Sequence, residues 1–361
     1  MYNSVMSYIN VIGTALIIFP IIAFMMTIPY MFYEYRKYGS INKLRTLIIF
    51  SFVLYLLCVY FLVILPLPKP ESVHTTYLEK INLIPFSFVY DFIMKTPLRI
   101  SNPATYLKAF KHATFFVPFF NVLMTIPFGM YLRYYFQFDL KKTAIAGLLL
   151  SLFFELTQLS GLYFIYSGPY RLCDVDDLIM NTLGAVLGYF IFGFIKNMLP
   201  SREKIDEESY AEGEKVPSIR RMFAFIIDLM IIGFVNIFIN KGALSFAIIF
   251  IIYYGSLEIY GNQTIGMKVM RYRISFSHER IKNIIELNLL RYLHYFGVFE
   301  IIAFILDYLE RYRNTLITMI IFIGVCLMFG YFIYLVMIVL LNKKTLYERV
   351  VDVKYINQVK R

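Results

Sequence analysis

The stretch TLITMIIFIGVCLMFGYFIYLVMIVLL, residues Thr315 to Leu341, carries no charged side chain and no proline. Such a run exceeds the ~20 apolar residues that a helix needs to cross a bilayer core of about 30 Å. It is not alone. Comparable blocks lie at about 288–309, 244–260, 222–240, 178–199, 143–165, 113–132, 46–65 and 5–32. Composition agrees, with 59% hydrophobic and 16% charged residues where soluble chains usually have ~25% charged. The apolar residues fall in blocks rather than in short alternating segments, which argues against an outer-membrane barrel. The expected fold is therefore all-α: a polytopic integral membrane protein with about nine transmembrane helices in two bundles.

The formal net charge is +11, which in a soluble protein would suggest nucleic acid. Here the basic residues are spread over loops. With the N-terminus outside, most of the 35 Lys and Arg fall in the five segments 36–45, 133–142, 196–221, 268–291 and 343–361, which then become cytoplasmic. Short cytoplasmic loops retain positive charge, so this asymmetry predicts N-out and C-in, and no nucleic-acid partner. Trp is absent, and the 31 Tyr can supply the interfacial aromatic belt. The three cysteines, Cys58, Cys173 and Cys326, lie far apart and form neither a disulfide framework nor a metal motif.

The first block is long for a signal peptide and lacks a small-residue cleavage site, so residues 1–45 read as a retained helix with a cytoplasmic loop. A first membrane domain covers 46–199. Residues 200–216 are charged and acidic, with too little apolar surface to fold, and read as a flexible cytoplasmic linker. A second membrane domain covers 217–355, including a basic stretch, 261–286, that reads as a short strand or a surface helix. Residues 356–361 form a tail.

An ionisable group at mid-membrane costs ~2.5–3.5 kcal/mol on insertion scales, so each one needs a reason. Glu155 and Gln158 are three apart and share a helix face. Arg171, Asp174, Asp177 and Asn181 follow at the start of the next block. A helical hairpin returns them beside Glu155 and Gln158 in one polar cluster, with Asn82 of the preceding outer stretch nearby. Asp174 or Asp176 alone reads equally well as a helix cap. The cluster as a whole is either a ligand, ion or headgroup site or a network that holds helices together, with Arg171 paired to the carboxylates. Asn121 suits helix packing, and Pro127 is expected to kink its helix. In the second domain Arg221 and Asp228 lie about two turns apart on one face, with Asp228 roughly 10 Å inside the membrane edge. Asp228 reads as a proton or cation site or as an anchor for an Arg. Gly261 to Lys268 is glycine-bearing but lacks the phosphate-loop ending. Glu286, Glu300 and Asp307 are further candidates, with Glu300 expected deepest.

The motifs of residues 45 to 200 resemble the VanZ-like family: Asn82-Leu83-Ile84-Pro85-Phe86, Asn121 with Ile126-Pro127-Phe128-Gly129, Glu155-Leu156-Thr157-Gln158, and Arg171-Leu172-Cys173-Asp174-Val175-Asp176-Asp177 through Gly184. Residues 217 to 355 resemble the RDD family, through Arg221, Ala224 and Asp228, through Thr264 and Gly266 in Gln263 to Lys268, and through Thr345 to Asp352. Glu348 stands where that last motif leads one to expect Asp. The VanZ resemblance implies an envelope role in a Gram-positive-type bacterium and lowered susceptibility to teicoplanin-type glycopeptide antibiotics. The RDD resemblance implies a membrane domain of the kind proposed to move ions.

The leading expectation is a non-enzymatic envelope protein whose outward cluster engages a lipid-linked cell-wall precursor, a lipid headgroup or the drug. The alternative is a transporter or cation/proton antiporter using Asp228 and Glu300. A membrane enzyme with carboxylate-held metal ranks third, since His74 and His112 lie outside the cluster and no hydrolase motif is present. No cofactor and no metal are expected. The expected partners are membrane lipids.

Overall fold

A computed structural model describes residues 2–239, 242–276, 280–310 and 315–360. Every apolar block of the sequence lies on a helix. In chain order these are α1 (Tyr2–Tyr38), α2 (Lys43–Ile64), α3 (Ser87–Lys95), α4 (Ala113–Tyr134), α5 (Leu140–Leu159), α6 (Val175–Ile195) and α7 (Arg202–Gly213). They continue with α8 (Ser218–Ile239), α9 (Ala243–Gly261), α10 (Ile265–Val269), α11 (Arg280–Tyr292), α12 (Val298–Glu310), α13 (Thr315–Leu340) and α14 (Leu346–Val350). A π-turn, Leu293–Gly297, joins α11 to α12 in one continuous span. Among the described residues eight helices are long and apolar enough to cross a membrane. The ninth block corresponds to α9, whose apolar segment Leu244–Ile259 is shorter. The chain is an all-α polytopic membrane protein. Residues 240–241 and 311–314, which the charge argument places outside, and 277–279 of the basic stretch lie outside the described residues.

The chain divides into two compact units, residues 1–25 with 43–205 and residues 26–42 with 206–361. In the first, α4 and α5 both pack on α6. The approach of α4 to α6 depends on missing side chains. A Cβ on Gly188 would lie 2.0 Å from the Ile126 carbonyl oxygen, and one on Gly184 would lie 2.3 Å from that of Val122. Spaced four apart on α6, these glycines let the two backbones meet, which is how membrane helices pack when lipid removes the hydrophobic drive. Phe128, Leu132 and Ala185 are buried at this crossing, and Val59, Met124 and Phe154 pack where α2 joins it. The stretch after Pro66 forms short turns, α3, and a two-residue strand, Ile81–Asn82 (β1), paired in parallel with Cys173–Asp174 (β2).

In the second unit the basic stretch yields the strand Tyr272–Ser275 (β3) and a short helix, α10, whose Gly266 and Met267 are buried rather than on the surface. Strand β3 pairs antiparallel with Lys354–Asn357 (β4), and the Gln358 N–H reaches the Arg271 carbonyl at 2.8 Å. The residues read as a tail therefore begin inside a two-stranded antiparallel sheet. The second half of α1 packs here as well, with Tyr35 and Phe32 against Phe223.

The charged segment read as a flexible linker is a helix, α7. Its buried positions Ile205, Ser209 and Gly213 recur every four residues, one stripe of a 3.6-residue repeat. Ile205 packs with Ile48 and Tyr135, while the Ser209 carbonyl accepts a 2.7 Å bond from the Ser40 hydroxyl. Beyond Ile205 the stripe consists of serine and glycine, so a count of apolar residues did not reveal it.

Candidate functional site

The end of α2 organises the first site. Pro66 follows the helix and offers no N–H, so the last α2 carbonyls need partners from elsewhere. They find three side chains from one hairpin. Gln158 donates Nε2–H to the Val63 carbonyl at 3.1 Å, Arg171 donates to the Val63 and Leu65 carbonyls, and the Tyr170 hydroxyl reaches Ile64 at 3.4 Å. A cation at a helix C-terminus also meets the negative end of the helix dipole. Arg171 was expected to pair with carboxylates. Its guanidinium is directed instead to these carbonyls.

The carboxylates form a chain of caps. Asp174 is the N-cap of α6 and accepts from the Asp176 N–H at 2.9 Å. The Asn82 side-chain amide donates to both Asp174 oxygens at 3.1 Å, which locks β1 beside β2. Asp176 starts a different helix, accepting from the Phe86 N–H, the Ser87 hydroxyl at 2.9 Å and the Phe88 N–H at 3.1 Å at the head of α3. The left-handed Phe86, with φ 61°, turns the chain into that helix. The sequence Asn82 to Phe86 is thus the counterpart of Asp174 to Asp177, joined about ninety residues later.

Glu155 is 2% exposed and accepts from the Asp174 N–H at 2.9 Å. Asp177 accepts from the Asn121 amide at 2.7 Å, and its own carbonyl takes the Ser151 hydroxyl at 3.1 Å. Asn181 donates to Ser151 at 2.9 Å. Glu155, Gln158, Arg171, Asp177 and Asn181 line one cavity of about 360 Å³ together with Asn121, whose packing role was expected. Asn82 and Asp174 are not among its lining residues; they brace it from behind. The neighbouring Cys173 thiol is pushed up to about 11, first by burial and then by the Glu155 carboxylate. Ser151 was not singled out from sequence, and Asp176, read as a possible cap of its own helix, caps α3 instead. Ser151 looked like an ordinary small residue.

In the second unit Asp228 is 1% exposed and takes three donors: the Tyr253 hydroxyl at 2.6 Å, the Thr264 hydroxyl at 2.6 Å and the Gly266 N–H at 2.7 Å. Thr264 in turn caps α10 through the Met267 N–H at 3.2 Å. A Cβ on Gly266 would fall 2.0 Å from the Ala224 carbonyl oxygen, so only glycine lets this turn reach Asp228. Thr264, Gly266 and Asp228 therefore converge. Arg221 turns elsewhere: it pairs with Glu348, donates to the Ser218 hydroxyl at 2.6 Å, and stacks over Tyr355 at 4.6 Å. Burial pushes the Glu348 carboxyl up, but Arg221, the Tyr355 hydroxyl and the Thr345 N–H outweigh it and hold the group below its usual range.

Sequence reading missed two buried groups here. Arg291 and Glu258 form an ion pair at 3.0 Å with side chains 5% and 0% exposed, and Arg291 stacks on Tyr254 at 4.4 Å. A lone carboxylate inside the block 244–260 was the available signal. Arg220 is fully buried and clamps the Met270 and Arg271 carbonyls and the Asn357 side chain. Glu300, expected deepest, is exposed and accepts from the Tyr292 hydroxyl at 2.8 Å.

Against known proteins, no curated protein and no solved structure matches the chain. A family match does exist, and it spans the helices that carry the carboxylate cavity: residues 52–196 match the VanZ/LLP1 family.

Proposed function

We propose that the first unit is an outward-facing, non-enzymatic receptor for an amine-bearing headgroup, carried by an envelope lipid or a lipid-linked cell-wall precursor. Through it the protein lowers susceptibility to teicoplanin-type glycopeptides. One observation carries this reading. Glu155 and Asp177 line one cavity whose only guanidinium among the lining residues, that of Arg171, is already directed to carbonyls. Such a site favours a cation with hydrogen-bonding arms, beside the amide side chains of Asn121, Gln158 and Asn181, whose N–H groups already donate to Asp177, the Val63 carbonyl and Ser151. At about 360 Å³ the cavity lies at the low end of small-ligand sites. A whole glycopeptide is far too large for it, whereas an ammonium headgroup fits. The match of 52–196 to VanZ/LLP1 supports the envelope role, and the distribution of Lys and Arg supports N-out, C-in, the topology under which this cavity would face outward.

The antiporter alternative for the second unit draws less support, and no family match covers that half. Asp228 already accepts three hydrogen bonds and has little capacity left for a travelling ion.

The test is susceptibility to teicoplanin and vancomycin in a strain lacking the gene, complemented with wild type, Asp177→Asn or Glu155→Gln at matched membrane levels. Restoration by wild type and not by either variant is the expected result. Unchanged susceptibility in the deletion strain, or full protection by both variants, overturns the proposal.

A further inference from the structure

The second unit holds a cavity of about 370 Å³ that none of the foregoing explains. It lies at the ends of helices, between the first turns of α8 and the last turns of α13. Helix ends are where lipid headgroups sit, so depth into the unit runs from headgroup toward hydrocarbon. Its lining follows the same order. Arg221 and Lys343 stand at the helix ends, and Phe225, Leu335, Val336 and Val339 form the apolar wall.

Three polar atoms of the lining have no hydrogen-bond partner, the Thr345 hydroxyl and two further donors, the Nε–H of Arg221 and the hydroxyl of Tyr254. Tyr254 is 1% exposed. A buried donor without an acceptor keeps its full desolvation penalty, and such donors around one cavity point to an acceptor that arrives with a ligand. The acids of the lining do not supply it. Asp228 is occupied by Tyr253, Thr264 and Gly266, and Glu348 by Arg221, Tyr355 and the Thr345 N–H. Arg221 is paired with Glu348 and Arg291 with Glu258, so the preference for an anion comes from the open donors and from Lys343 at the helix end.

We propose that this cavity binds a single-chain anionic amphiphile of the fatty-acid or lysophosphatidate class. The head accepts from Arg221 Nε and Tyr254, and the chain runs along Leu335, Val336 and Val339. The Arg221–Glu348 pair fixes the guanidinium and leaves its Nε–H for the ligand, so the pair serves as a positioning device.

The full chain, purified and stripped of lipid, is titrated with the fluorescent fatty acid cis-parinaric acid and with its methyl ester. Saturable binding of the acid, at least tenfold tighter than the ester, is expected. Tyr254→Phe removes only the hydroxyl and should weaken the acid several-fold while leaving the ester unchanged. Val339→Trp fills the apolar wall and should abolish binding of both, with its melting temperature checked against wild type. Lysophosphatidate competing with the acid assigns the shared anionic head, and failure to compete restricts the site to carboxylates within the proposed class. Equal binding of acid and ester, or unaltered acid binding in Tyr254→Phe, overturns the proposal.

Discussion

Cys173 reports directly on the carboxylate cavity. Its thiol is pushed up to about 11 by burial and by the adjacent Glu155 carboxylate. An ordinary cysteine titrates near 8.5, so at pH 7.5 about a tenth of it is thiolate. At about 11 the thiolate fraction falls to roughly 3 in 10,000, some 300-fold lower. A more basic thiolate is also more nucleophilic, with a Brønsted slope of ~0.4–0.5, which returns roughly a factor of ten. Alkylation at pH 7.5 should therefore run about 20- to 30-fold slower than for a free thiol. The assay is maleimide labelling of the purified full chain with Cys58 and Cys326 replaced by Ala, followed from pH 7 to 10.5. Wild type should keep accelerating about tenfold per pH unit past pH 9, because the thiolate fraction is still rising there. Glu155→Gln keeps the burial and removes the charge, so its profile should move to lower pH. A rate that levels off near pH 9 in both proteins would refute the placement of Cys173 against Glu155. In intact cells a membrane-impermeant reagent should reach Cys173 from outside, and protection there would reverse the proposed orientation.

Further perturbations probe the packing. Gly188→Leu drives a side chain into the Ile126 carbonyl 2.0 Å away and should abolish recovery of folded protein by size exclusion. Gly233→Ala, with nothing within 4 Å, should leave the melting temperature nearly unchanged. Arg291→Ala leaves the Glu258 charge in the interior without its guanidinium and should cost about 3–5 kcal/mol in denaturant unfolding. Replacing both together, Arg291→Met with Glu258→Gln, should recover most of that loss. Glu348 has its carboxyl held low in the folded state, so its contribution is complete above the unfolded value of about 4.3 and is lost as pH falls through the folded one. Thermal stability should therefore drop on acidification below about pH 4.3, and this limb should flatten in Glu348→Gln.

The helices were legible because lipid allows few alternatives: long uncharged runs such as 315–341 have no other stable fate. The cavity was legible in part, because Glu155, Gln158, Asp177 and Asn181 obey helical spacing across a hairpin. The role of Arg171 was not. Its partners are backbone carbonyls left open by the prolines after α2, and a reading that pairs charges with charges passes over them. Helix α7 was hidden for a related reason. Its buried stripe uses serine and glycine, whose contribution comes from close approach and hydrogen bonding, and hydropathy measures neither.

How each carboxylate is satisfied separates folding roles from binding roles. Asp174, Asp176 and Asp228 each accept from a backbone N–H at or beside the start of a helix, α6, α3 and α10 respectively. These groups fix where chain segments turn, and replacing them should damage the fold before any ligand is considered. Glu155 also accepts from such an N–H, that of Asp174, but unlike those three it shares with Asp177 a cavity with amide side chains around it. An alanine at Asp174 would therefore mislead. Loss of protection in that variant would report the loss of a cap and of the Asn82 lock. Glu155→Gln and Asp177→Asn keep shape and hydrogen-bonding capacity while removing charge, so a loss of protection with melting temperature intact isolates the recognition of a cation. If both variants instead melt early, the carboxylates belong with the caps, and the cavity should be credited to the architecture of the helix ends.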